Sequence, residues 1–396
     1  MNDNLKPDHS TRGHSKRGAS GAERWMNCPG SVALLSHLDL PESDDPDYRR
    51  EGTAMHEAAA YCLENGLDTW EITGQTFNDT VVDTPMAQAV QVYLDDVRPD
   101  MATAITSYIE YPISSPVHPD FYGSLDFGAV FPDRIKVKDL KGGEGIIVEP
   151  DDNPQLKYYA FGIVDGLERD KGMTFPDETI IELTIVQPRG FSLEGPVRMW
   201  PTTVGELKAW VHDTLVPAML ATEMDHSLDA GPWCRFCPAK LVCPLLTSLF
   251  GAACKANPTE MIHLNDQSID RSYQYVEAVK FYIKALSDEV FRRLSTGHEF
   301  KTAKLVNKKA NRVFKDGAPD LAKARFGPEV YMPIEMKSPA ELEKLSPEAK
   351  AFVKEFAYMP QTGYTVAPMS DPKPAVKITK ASETFSAAVD LATKPE

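Results

Sequence analysis

The sequence predicts an α/β protein built on a mixed sheet, and three observations carry that expectation. Helical and strand periodicities alternate along the first two-thirds of the chain. Thr179–Gln187, TIIELTIVQ, is a β-branched run suited to a sheet interior. Gly123–Phe131 and Arg134–Leu140 flank a Pro132-Asp133 turn, as neighbouring antiparallel strands do. The resulting order of helix, strands, helix, strand, helix suits a sheet flanked by helices.

The elements follow in turn. Residues 1–20 are polar and read as a disordered leader. Ala22–His37 is a short helical entry broken at Cys28-Pro29-Gly30. Glu51–Asn65 places Ala and Leu at helical spacing and carries His56 and Glu57, and Pro85–Tyr108 is a second amphipathic helix. Thr106–Pro112, Gly123–Phe131 and Arg134–Leu140 read as strands, Asn153–Gly166 as a helix, Thr179–Gln187 as a strand and Thr203–Met224 as a helix. This makes 21–254 the main domain. A smaller α+β region, 255–358, should hold a long helix at Ser268–Leu294, a basic hairpin at Phe300–Phe314 around Asn307-Lys308-Lys309, and short helices in Ser338–Phe356. Pro, Ser, Thr and Lys mark 359–396 as a flexible tail.

A hydrophobic content of 42% and a charged content of 25% are ordinary for a globular protein. No apolar run reaches the roughly 18 residues a membrane helix needs, and the N-terminus lacks the apolar segment of a signal peptide. A cytoplasmic protein without a membrane partner is expected. The net charge of −16 argues against phosphate binding as a whole, but it is uneven. Residues 1–250 hold 20 Lys and Arg against 39 Asp and Glu, while 251–396 hold 22 against 19. Lys301, Lys304, Lys308, Lys309, Arg312 and Lys315 form a local basic stretch, which is either a solvated face or a phosphate contact.

One constellation carries chemistry. Gly123-Ser-Leu-Asp126 is followed by Asp139-Leu140-Lys141, and the strand period of two puts Asp139 and Lys141 on one face. Carboxylates are hard ligands for Mg²⁺ or Mn²⁺, and an ammonium beside them can stabilise charge on a scissile phosphate. A lone D-x-K triplet is weak, since two solvated strand charges look the same. Here it has neighbours. Asn153-Pro-Gln155 opens a helix with Tyr159 four residues on, and Glu51-Gly-Thr-Ala-Met-His56 lies upstream.

In that order the motifs resemble the RecB-like subset of PD-(D/E)XK nucleases. The resemblance implies a restriction-endonuclease-like core and a DNA nuclease, an exonuclease or end-processing enzyme. It makes His56, Asp126 and Asp139 the metal ligands, joined by the Leu140 carbonyl. Lys141 becomes the catalytic lysine, and Gln155 and Tyr159 position the substrate phosphate. Glu57 stays outside the catalytic set. The chain also resembles phage and prophage proteins of this type, which implies DNA as substrate and a recombination or replication protein as partner, within a bacterial host. The alternative is a non-catalytic DNA-binding or assembly module keeping the same fold.

Cys234-x2-Cys237-x5-Cys243 supplies three thiolates, and a metal site needs a fourth, for which Cys28 stands far upstream. This one-plus-three pattern resembles AddB-type nuclease subunits and CRISPR-associated iron–sulfur exonucleases. It implies a 4Fe–4S staple around the nuclease motifs, with zinc as the alternative. Cys62 is expected to be core packing, and Cys254 a worse-placed ligand.

Overall fold

Chain order already sets the layers, in a computed structural model that describes residues 15–38, 47–255, 265–309, 311–331, 336–358, 360, 363–368 and 374–376. Helices α1 (Ala22–Asn27) and α2 (Gly30–His37) meet at Cys28-Pro29, where the proline ends the first helix. Helix α3 (Asp47–Asn65) leads to a small hairpin, β1 (Thr76–Phe77) and β2 (Thr80–Val81). Asp83 then caps α4 (Thr84–Thr103) by accepting from the Met86 amide, with Pro85 in the first turn. Helix α4 stops at Thr103 instead of reaching Tyr108, because the β-branched and aromatic run from Thr106 joins the sheet.

The sheet comprises β3 (Thr106–Ser114), β4 (Tyr122–Val130), β5 (Arg134–Leu140), β6 (Ile180–Val186) and β7 (Val197–Thr203), adjacent in that order. All neighbours run antiparallel except β5 and β6, which are parallel and joined through α5 (Pro154–Lys171). A helical crossover is what a parallel pair requires. Strand β7 was not expected from the sequence. Its Pro201 reads as a breaker, yet Pro is tolerated on an edge strand, and β7 is an edge.

Both faces of the sheet are covered. Leu125, Ile135, Val137, Ile181, Leu183 and Ile185 join the core formed with α5, α6 (Val204–Trp210) and α7 (Val216–Met224). Phe127, Ala129, Leu140 and Val186 join the core of α3 and α4. Between α6 and α7 the helix widens into a π-turn at Val211–Leu215. Pro217 explains it, since its ring nitrogen has no hydrogen for the carbonyl four residues back. Helix α8 (Pro244–Lys255) follows the cysteine-rich segment.

The start of the chain departs from expectation at residues 15–20. Ala19–Gly21 form a 3₁₀ turn, and Arg17 is buried, donating to Thr222 Oγ1 at 2.5 Å and pairing with Asp120. An arginine held by a carboxylate and a hydroxyl is ordered, not leader. Residues 1–14 lie outside the described residues.

The chain divides into two compact units, Met1–Phe281 and Tyr282–Glu396. The expected single helix at Ser268–Leu294 is two, Asp266–Tyr273 and Val276–Ser295. In the second unit the basic strands do not form a hairpin. Strand β8 (Ala303–Asn307) and β9 (Val313–Phe314) each find another partner: β9 pairs with β10 (Ala357–Tyr358), and β8 with β11 (Tyr364–Pro368). Like charges across a hairpin would repel, and the alternative partners bring none. Strand β11 lies inside the stretch expected to be a flexible tail; its backbone is fixed by the β8 ladder, and the Val376 amide adds a bond to Leu305. The rest of that tail lies mostly outside the described residues. Ala318, Ala322, Val330, Leu342, Phe352 and Val353 make this unit's own small core.

Candidate active site

Four elements bring the motif residues together at the end of β5. Asn153 caps α5 by accepting from the Gln155 and Leu156 amides, and Pro154 fits the first turn. This Asn-Pro start places Gln155 over the strand end. There Lys141 Nζ donates to Gln155 Oε1 at 2.9 Å, while Gln155 Nε2 donates to Asp139 Oδ1 and to the Tyr159 hydroxyl, each at 3.1 Å. Lys141 Nζ also lies 2.7 Å from Asp139 Oδ2. That approach is off the angle of a hydrogen bond, so Oδ2 of this 1% exposed residue holds an ion contact and no hydrogen bond.

The second half of the site comes from α3 and β4. Asp126 Oδ2 accepts from the Leu140 amide at 2.7 Å and lies 3.3 Å from His56 Nδ1. Leu140 sends its side chain into the α3–α4 core. The expected set His56, Asp126, Asp139, Lys141, Gln155 and Tyr159 is thus gathered in one place.

Glu110 joins it, and the sequence reading had missed it. Ladder pairs Ile109↔Phe127 and Tyr111↔Leu125 put Glu110 opposite Asp126. Its Oε1 is 3.8 Å from His56 Nδ1, and its Oε2 accepts from Ser124 Oγ at 3.4 Å. The backbone here is unusual: Glu110 has φ of 43°. Such a value is rare for a residue with a side chain and costs on the order of 1–3 kcal/mol. It has a visible effect. Ile109 and Phe127 pack toward α3 and α4, whereas Tyr111 and Leu125, two residues along, pack toward α5. A regular strand would keep them on one face. At this switch Asp126 can serve both sides of the sheet.

Charge is tuned accordingly. Burial pushes the Asp139 carboxyl up to about 6, with Lys141 opposing the rise and Asp126 adding to it. Burial pushes Asp126 up as well, but the His56 and Lys141 charges and the Leu140 amide outweigh it, and the net direction is down. Burial lowers His56, yet the Asp126 and Glu110 carboxylates hold it well above its ordinary range. Burial raises Glu110, with His56 opposing. Tyr159 is raised well above its usual value by burial and by Asp139 and Asp126, so it stays a phenol.

The cysteines converge too. Cys28, Cys234 and Cys243 are buried and Cys237 half-buried, and all six pairs among the four lie within electrostatic reach. The Asp229 amide donates to Cys28 Sγ at 3.4 Å. Burial raises Cys28, Cys234 (to about 11) and Cys237, while hydrogen bonds from nearby backbone amides act against it. Gly30 shows how close the two ends of the domain come. Its amide donates to Ser227 O, and a Cβ there would stand 2.3 Å from His226 O and 2.5 Å from Ser227 O. Cys62 is fully buried in the α3–α4 core, and Cys254 is exposed.

A family model described as "Protein of unknown function (DUF2800)" matches residues 14–374. The chain belongs to the DUF2800 family. The match takes in every residue of the site and all four clustered cysteines of this DUF2800 protein. A solved structure titled "Crystal structure of SSO0001" is similar at 13% identity, over 56% of this chain and 96% of that one, with a TM-score of 0.27, too low to bear on fold or function. Among the described residues no helix is long and apolar enough to cross a membrane.

Proposed function

We propose that this protein is a divalent-cation-dependent DNA nuclease with a RecB-like PD-(D/E)XK site. The observation that carries the reading is the bridge at the end of β5, where Gln155 links Asp139, Lys141 and Tyr159 beside Asp126 and His56. Two D-x-K charges on a solvated strand would not be buried, nor would a helix cap aim a glutamine at both. The donor set of carboxylates and one imidazole suits Mg²⁺ or Mn²⁺, and an Asp139 oxygen buried without a hydrogen bond fits a cation. When bound there, such an ion polarises a phosphoryl oxygen and acidifies water.

The chain's own groups supply the rest. Asp126, Asp139 and His56, with the Leu140 carbonyl, would hold the ion. Lys141, steered by Asp139 and Gln155, sets its ammonium beside the reacting phosphate. Tyr159 fixes the Gln155 amide through its hydroxyl. The exposed Lys301, Lys308 and Lys309 provide phosphate contacts for the DNA backbone. The end-processing role in phage recombination or replication rests on the resemblance alone.

The cysteine cluster is proposed to hold a 4Fe–4S group that staples the domain. Zinc at about 2.3 Å from each thiolate would draw the sulfurs to roughly 3.8 Å of one another. The one-plus-three spacing of these cysteines resembles that of iron–sulfur nucleases, which favours the larger group. Amide donors at the sulfurs suit it as well.

The test is incubation of the purified chain with end-labelled single- and double-stranded DNA, with and without Mn²⁺. Cation-dependent cleavage that disappears in Lys141→Ala supports the proposal. Failure to cut any of these substrates with Mn²⁺ present overturns it in favour of a non-catalytic DNA-binding module.

A further inference from the structure

The loop joining β6 to β7 carries two large apolar side chains that the nuclease reading leaves without a task. We propose that Phe191 and Leu193 form a base-stacking site that grips an unpaired DNA strand beside the catalytic groups; this rests on the nuclease reading above and specifies the form of its substrate. Phe191 is 86% exposed and Leu193 96%. Covering side chains of this size contributes about 1.5–3 kcal/mol each, which is available to whatever docks on them. The loop that presents them is not slack. The Gln187 amide donates to Pro196 O at 2.7 Å and Arg198 Nη1 to Gly195 O at 3.0 Å, which ties its two ends. Between them the Gly190 amide donates to Gln187 O and the Gly195 amide to Ser192 O, each at 3.2 Å.

Position supplies the occupant. The buried Gln187 side chain, at the root of the loop, donates to Gly143 O at 3.1 Å and Ile146 O at 2.7 Å, in the segment that follows Lys141. Arg189 pairs at 2.7 Å with Glu51, five residues before His56 on α3. A Cβ on Gly190 would stand 2.7 Å from Gln187 Cδ and 3.0 Å from Ile147 Cδ1, so glycine lets the loop lie this close. The loop is therefore fastened to two of the elements that build the site. Charge says how it can hold DNA. Residues 1–250 contain every motif residue and carry 20 Lys and Arg against 39 Asp and Glu, and Arg189, the loop's one cation, is held by Glu51. Phosphate attraction is weak in such a setting, whereas stacking on a side chain contributes about 1–3 kcal/mol per base and needs no charge. A base presents its face only when unpaired, so the fit is to a single strand or a frayed end. Size argues against a protein in its place. Phe and Leu together expose on the order of 300 Å², under half of the ~800 Å² per side that a stable protein interface buries.

The experiment measures binding of the full chain to a short labelled oligothymidylate and to a blunt duplex of equal length, by fluorescence anisotropy with a chelator present. Phe191→Ala should weaken single-strand binding by about tenfold while duplex binding and the melting temperature stay unchanged. The salt slope should also stay as it is, because stacking releases no counterions. Phe191→Tyr keeps a ring and should restore the affinity. A 2-aminopurine base in the oligonucleotide should dim on binding the parent chain or Phe191→Tyr, and stay bright with Phe191→Ala and Leu193→Ala combined. Equal single-strand affinity in the parent and the double variant overturns the stacking site and leaves the loop to a partner other than DNA; cation-dependent cleavage would still stand on its own assay. A loss of affinity that comes with a flatter salt slope overturns it as well, in favour of a phosphate contact. A chain that stacks the strand yet cuts nothing with Mn²⁺ keeps this site and loses the nuclease reading.

Discussion

Lys141 and Gln155 are joined by a 2.9 Å hydrogen bond that ties the last residue of the D-x-K motif to the first turn of α5. The amide does two jobs at once, since its other end holds Asp139. A charged hydrogen bond of this kind contributes about 1.5–3 kcal/mol. Gln155→Ala should therefore lower cleavage by roughly tenfold to a hundredfold, mainly in kcat, with substrate affinity nearly unchanged. Wild-type kcat in the variant would remove Gln155 from the site.

Asp139→Asn and Lys141→Ala should each cost about a thousandfold in rate while the thermal melt stays cooperative. Lys141→Ala leaves Asp139 buried without its ion partner, so a modest change in melting temperature is expected there as well. Two purified, folded variants that cut DNA at the parent rate would locate the chemistry elsewhere.

Cation binding should strengthen as pH rises. Asp139 sits at about 6, above its unfolded value, so the folded state holds its proton more tightly than the unfolded state does. That contribution to stability is complete below pH ~4 and is lost as pH climbs through about 6. A bound cation replaces the proton, so Mn²⁺ should raise the melting temperature little at pH 5 and clearly at pH 7.5. His56, held well above its ordinary range by its carboxylates, must also lose a proton, which carries the rise above the ordinary imidazole range. An identical Mn²⁺ shift at pH 5 and pH 8 would contradict this.

Cys28→Ala should remove the colour and iron of anaerobically purified protein and destabilise the whole first unit. By analogy with a disulfide closing so long a loop, the entropic part is about 5 kcal/mol. Cys62→Ala, in a different core, should leave the iron content intact. A native Cys28 thiol that alkylates readily would contradict the staple.

Neutralising Lys301, Lys308 and Lys309 together should flatten the salt dependence of DNA binding, by about one unit of slope for each lysine that meets a phosphate. Arg312 no longer belongs in this set. Glu343 holds its guanidinium through both oxygens, with Arg312 Nη2 donating at 2.7 Å. An unchanged slope would leave the stretch as a solvated face.

The parts of this protein that local chemistry decides were legible in the sequence. Asn153-Pro154 announces the start of α5, the alternation of Arg134–Leu140 is β5 to the residue, and Cys28-Pro29 breaks the first helix. Pairing was less legible. Strand β7 carries a proline that only an edge position allows, and β8 and β9 find partners some fifty residues on. Glu110 was invisible for the same reason. In TSYIEYPIS it is one carboxylate in an ordinary strand, and only the register with β4 sets it against Asp126.

The parallel pairing of β5 with β6 has a bearing on when the site can take shape during synthesis. The Lys141 amide finds its acceptor on Val186, beyond the whole of α5. During synthesis Asp126, Asp139, Lys141, Gln155 and Tyr159 all emerge before β6 does, but the edge of β5 then has no neighbour to hold it straight. Cys28 waits longer still for its three companions. A chain still on the ribosome therefore holds the motif residues without their geometry, and its premature fragments should aggregate through the open β5 edge.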